Sequence, residues 1–224
     1  MSKFTQNSAA DYDERIVRLV PGYGLLHELA ACLLAAHVSP TTPADMLIAG
    51  LGTGRELQDL AGRAPAWRFT AVDPSQPMLD AACARAEAGG YADRIAFRAV
   101  EMQAFDEAGP HDGALALLAA QFVPDDGNRA AFVRAMARPL RPGAPLAFVD
   151  LAEPSAPFEA AYRGWAMAQG TDVHQADAML KRIALNFHPL TEARLTTLLA
   201  EADCSAPSPF FQAFGYRGYL ARRN

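Results

Sequence analysis

Met46-Leu-Ile-Ala-Gly50-Leu-Gly52-Thr-Gly54 decides the fold. An apolar run breaks into three glycines at alternate positions, and Arg55 to Ala64 then resumes at helical spacing, with Leu57 and Leu60 turned inward. A glycine turn between a strand and a helix lets the backbone approach a ligand closely, because no Cβ stands in the way. The ligand then meets a helix N-terminus. Phe69 to Val72 reads as a second strand, and Asp73 stands at its C-terminal end, 19 residues after Gly54. A carboxylate there accepts hydrogen bonds from both hydroxyls of a ribose. The plainer alternative is a glycine-rich turn with nothing bound and Asp73 as a mere helix cap. The two features at this distance, each between a strand and a helix, favour a nucleoside site.

Outward from this motif the alternation continues. Ser75 can cap the next helix, with Pro77 tolerated in its first turn. Ile95 to Val100, Ala114 to Leu118 and Leu146 to Val149 read as further strands, and Ala130 to Leu140 as a helix stopped at Arg141-Pro142-Gly143. Towards the start, Tyr12 to Val20 and a stretch from Leu25 read as two helices divided by Pro21-Gly22, after a polar lead-in. In the last third, Phe158 to Met167, Gln175 to Leu185 and Thr191 to Ala202 read as helices. The aromatics Phe210, Phe211, Phe214, Tyr216 and Tyr219 flank Gly215 and suggest a closing hairpin. The expected architecture is α/β and doubly wound. It has a mostly parallel, seven-stranded Rossmann-like sheet, an antiparallel C-terminal hairpin and an N-terminal helical lid. One domain is expected over 1–224: a lid over 1–44, a cofactor-binding core over 45–150, and substrate-facing helices with the hairpin over 151–224.

A nicotinamide fingerprint wants G-x-G-x-x-G, and counted from Gly50 the third glycine arrives one residue early. This spacing, with Asp73-Pro-Ser-Gln-Pro-Met-Leu79 and Leu140-Arg-Pro-Gly143, resembles class I S-adenosylmethionine-dependent methyltransferases over about residues 45 to 150. The resemblance implies S-adenosyl-L-methionine as cofactor. Gly50, Gly52 and Gly54 would then line its methionine part, Asp73 would hold the ribose and Met78 would pack on adenine. Glu101 and Met102 would reach the adenine amino edge, and Gln121 would stand where substrate-facing residues begin. Many relatives carry an acid two residues before the first glycine, where this chain has Ile48. Contacts to the cofactor's amino-acid end must come from elsewhere, and the N-terminal segment is the first candidate. Tyr12 to Tyr23, Gln121 to Pro124 and Phe211 to Phe214 also look like segments of carboxy-S-adenosylmethionine synthase. Where that group has an arginine gripping the added carboxylate, alignment on Met179-Leu180 gives Asp177, an acid that would repel it, while a small gap in the alignment leaves Lys181 or Arg182 to substitute.

Methyl transfer asks for alignment more than for acid–base work, since the sulfonium is already activated. A base is needed only where the acceptor must lose a proton. No base stands out; His174, His188 and Gln121 are the catalytic candidates, and His27, His37 and His111 read as structural or exposed. Tyr12, Arg18, Tyr23, Phe122 and Trp165 are the candidate lid and substrate residues, although aromatics at such places also serve plain packing. No metal-ligating set is evident.

Composition restricts the partners. The 224 residues are 51% hydrophobic and 20% charged, enough for a real core. Twenty basic against 25 acidic residues leave a net charge of −5, a poor match for a phosphate backbone. The expected acceptor is a small molecule, with no nucleic acid and no membrane, and a homodimer stays open. Cys32, Cys83 and Cys204 lie far apart, which argues against a disulfide framework. No apolar signal core leads the sequence, and no apolar run approaches the ~20 residues of a membrane span. The expected setting is cytoplasmic. The alternatives to a methyltransferase are an enzyme like the carboxylated-cofactor synthase and a non-catalytic binder of the cofactor or its demethylated product.

Overall fold

The computed structural model describes residues 12–107, 109–152 and 156–224. The polar lead-in expected over residues 1–11 lies outside them. Seven strands form one sheet in the order β3-β2-β1-β4-β5-β7-β6. They are β1 (Ala44–Ala49), β2 (Trp67–Val72), β3 (Ile95–Arg98), β4 (Gly113–Leu117), β5 (Pro145–Leu151), β6 (Ser208–Ala213) and β7 (Tyr216–Arg222). The first five run parallel, while β7 pairs antiparallel with β5 and with β6. This is a Rossmann-like fold with an antiparallel hairpin at its end.

The strands are apolar nearly throughout because both faces of the sheet are covered. Alternate residues of β1 serve different cores. Met46 and Ile48 join Leu26, Leu34, Leu57, Leu60 and Leu79 on one face. Leu47 and Ala49 join Phe132, Val133, Met136, Leu198 and Phe148 on the other. The first face is built by α1 (Tyr12–Leu19), α2 (Tyr23–His37), α3 (Arg55–Arg63) and α4 (Gln76–Gly89). The second takes α5 (Asn128–Ala137) and α8 (Glu192–Glu201). Helices α6 (Ala156–Ala168) and α7 (Val173–Asn186) pair with each other near the hairpin. No single helix among the described residues is long and apolar enough to cross a membrane.

Two local readings need correction. Ser75 occupies the N-cap of α4, yet its buried hydroxyl finds no partner. Its amide is instead taken by the Asp73 carboxylate at 2.8 Å. Helix α7 starts earlier than residue 175, because Asp172 and Gln175 form a reciprocal capping box. Sheet order reverses between β1 and β4, and a crevice opens there beyond the carboxyl ends of the strands, where open α/β sheets bind ligands.

Candidate active site

The turn after β1 is shaped by the glycines, each doing something different. Gly50, Gly52 and Gly54 all have positive φ, at 70°, 57° and 79°. A Cβ on Gly50 would lie 2.2 Å from the Cβ of Ala119, so the turn can lie against the exit of β4 only without one. A Cβ on Gly52 would meet nothing within 4 Å, so this backbone borders open space. Gly54 differs from expectation. It is not on the cleft wall, and a Cβ there would stand 3.0 Å from that of Ala82, so its smallness lets α3 approach α4.

Asp73 locks this turn to the next strand. One carboxylate oxygen accepts the Gly52 N–H at 2.8 Å, the other the Ser75 N–H at 2.8 Å. Burial pushes its carboxyl above the ordinary aspartate range, against the pull of those two amides. A carboxylate offers about four lone-pair directions, so two remain for hydroxyls of a ligand.

Around this turn lies a cleft of about 1160 Å³, counted out to its open mouth. Gly50, Gly52, Asp73 and Met78 line it, as do Glu101 and Met102 from the turn after β3. Phe122 lines it too, its ring edge-on to Phe187 at 4.7 Å. Tyr12 and Tyr23, from α1 and α2, form the facing wall. Helix α1 is held there by Asp13, which accepts the Thr53 hydroxyl at 2.6 Å and pairs with Arg85 on α4. Thus Tyr12, Tyr23, Phe122 and six of the seven expected cofactor residues share one space.

The other expected site residues do not reach it. Gln121 is 3% exposed and works as a bracket. Its side-chain oxygen accepts the Leu151 N–H at 2.8 Å, its amide donates to Asp150 at 3.0 Å, and its carbonyl accepts the His188 N–H at 2.7 Å. His188 sits in that bracket, and its own carbonyl accepts from Arg129. His174 is exposed in the first turn of α7, and Arg18 is exposed on α1. Trp165 is half-buried and packs on the core beneath α6. Asp177 pairs with Arg163 at 2.7 Å in a separate groove beside α6 and α7.

Two buried titratable residues of the cleft escaped the sequence reading. His27, expected to be structural or exposed, is 3% exposed and lines the cleft, with neither ring nitrogen hydrogen-bonded. Its ring stands edge-on to Tyr23 at 4.5 Å. Burial, with help from Arg55, pulls its pKa down to about 3, which keeps the imidazole neutral. Glu56 is 5% exposed and also lines the cleft. Burial pushes its pKa up to about 8, despite a hydrogen bond to its own amide. The folded state therefore keeps a proton that the unfolded chain releases near the ordinary value of 4.5. Stability falls as pH rises between those two values. Glu56→Gln removes that slope. At pH 7 the variant is expected to be more stable than the wild type by on the order of 1–3 kcal/mol, the gap closing towards pH 4.5. Urea denaturation across that range checks it, and a constant gap would count against the protonated buried acid.

Residues 46–143 match a family model described as a methyltransferase domain. Over them the chain is similar to methyltransferase domains, and its fold is theirs. No curated protein matches the chain. Among solved structures, it is similar to a putative O-methyltransferase from Nostoc punctiforme, with 16% identity and a TM-score of 0.69 over 97% of this chain and 60% of that one. It is also similar to DhpI, solved as a complex with SAH, with 20% identity and a TM-score of 0.66 over 98% of this chain and 93% of that one. A third is an O-methyltransferase family 2 protein from Planctomyces limnophilus, solved with apigenin. There the identity is 18% and the TM-score 0.66, over 100% of this chain and 62% of that one. The chain thus spans about three fifths of the length of the Nostoc and Planctomyces proteins. The comparisons do not show the narrower likeness to carboxy-S-adenosylmethionine synthase.

Proposed function

We propose that this chain transfers the methyl group of S-adenosyl-L-methionine to a small organic acceptor. The observation that carries the reading is one cleft shared by the glycine turn, Asp73, Glu101 and Met102 on one side and Tyr12, Tyr23 and Phe122 on the other. In this reading Asp73 takes the ribose hydroxyls, Gly50 and Gly52 let the methionine arm lie against bare backbone, and Met78 and Met102 cover the adenine. The cofactor brings an already activated methyl group. The protein's part is to hold donor and acceptor in line and to exclude water. The aromatic wall supplies flat apolar surface for a planar acceptor.

A small acceptor also fits the net charge of −5, which gives counterion release little to work with. A cytoplasmic setting belongs to the same reading, and the three free cysteines suit a reducing compartment. Incubation with methyl-labelled cofactor and a panel of phenols, carboxylic acids and amines, with bulk tRNA alongside, tests the proposal. Label in one small-molecule class and none in tRNA is expected. Label in tRNA, or in no acceptor while the cofactor binds, would contradict it.

A further inference from the structure

Ile48, two residues before Gly50 on β1, is fully buried in the apolar core. It offers the cleft nothing. Two residues past Gly54, on the first turn of α3, Glu56 lines the cleft beside Gly52 and Thr53 and opposite Tyr12 and Tyr23. Two arginines stand near it, each in an ion pair with another acid, and Arg55 also lines the cleft. Arg55 pairs with Asp59 at 3.4 Å, and Arg85 is taken by Asp13. Among the described residues no ion pair reaches Glu56. His27, 97% buried in the same wall, has both ring nitrogens free of partners. A buried carboxylate beside a neutral imidazole and two phenols presents oxygen and nitrogen acceptors, while Arg55, the guanidinium on the same wall, is paired with Asp59. That chemistry fits an alkylammonium ion, which brings three N–H donors and a positive charge.

We infer that Glu56 is the acidic partner of the α-ammonium group of the cofactor's methionine arm, with His27 and the two tyrosines screening the pair from water. The inference rests on the cofactor reading above. Its chemistry includes a proton. The groups around the Glu56 carboxyl are Arg55 and Asp59 on its own helix, Asp73 and Arg85 beyond the turn, Tyr12 and Asp13 on α1, and Tyr23 and His27 on α2. The free site holds Glu56 mostly protonated at pH 7. An arriving ammonium ion ionises it, and the proton leaves to solvent.

The test is calorimetry with S-adenosylhomocysteine and with 5′-methylthioadenosine, which lacks the amino-acid arm. It uses the wild type and the near-isosteric variant Glu56→Gln, in buffers of differing ionisation enthalpy at pH 7. In the variant, S-adenosylhomocysteine is expected to bind roughly tenfold to a hundredfold more weakly, the scale of one charge-assisted hydrogen bond. Methylthioadenosine should bind as in the wild type, which also reports an intact fold. The wild type should release about one proton on binding S-adenosylhomocysteine, the variant none. Unchanged S-adenosylhomocysteine affinity in the variant, or equal weakening of both ligands, overturns the assignment of Glu56. A wild type that binds neither ligand overturns the cofactor reading, and this inference with it.

Discussion

Asp73→Ala is expected to lose at least about a hundredfold in affinity for S-adenosylmethionine and S-adenosylhomocysteine alike. Two hydrogen bonds from ribose hydroxyls to a buried carboxylate are worth ~1.5–3 kcal/mol each, and the substitution removes both. It removes more than that, because the same oxygens hold the Gly52 and Ser75 amides at 2.8 Å. Those two amides would be left seeking water, so the variant should also melt earlier. Asp73→Asn separates the effects, since its single side-chain oxygen still serves one amide while its NH₂ group repels the other. Titration calorimetry with melting curves checks both. A folded Asp73→Ala protein with full affinity would mean that the ribose lies elsewhere.

Gly50→Ala should cost about 3 kcal/mol of stability or more. The residue sits at φ 70°, where a Cβ costs roughly 1–2 kcal/mol against the following carbonyl. The new methyl would also lie 2.2 Å from Ala119 Cβ, and overpacking of this kind costs typically ~1–3 kcal/mol. The two contributions can be separated. Adding Ala119→Gly opens the space and leaves the backbone strain, so the double variant should recover about half of the loss measured in urea. Full recovery would show that the left-handed backbone is not strained, and no recovery would place the clash elsewhere.

Much of this was legible in the chain because the signals are local. The glycine spacing, the strand ending at Asp73 and the alternation of apolar runs with helical periods each sit within a dozen residues. They led directly to the sheet, the turn and most of the cleft. What stayed hidden depends on partners far along the chain. Gln121 reads as a polar residue after a strand and so as substrate-facing; only the fold brings Leu151 and Asp150 to it. Glu56 reads as an acid in the first turn of a helix, where the helix dipole welcomes it anyway. Its burial follows from α1 and α2 folding over the turn. His27 sits in a leucine-rich helix, and a lone histidine there carries no sign of which face meets the core or the cleft. Gly54 belongs to the motif by spacing, but Ala82, 28 residues later, gives it its purpose.

A crystal structure of the protein with S-adenosylhomocysteine tests the central claim most directly. The ribose is expected on Asp73, the adenine between Met78 and Met102, and the amino-acid arm running past Gly50 and Gly52 towards Glu56. A ligand seated outside the crevice between β1 and β4, or seated there with its ribose turned away from Asp73, would contradict it.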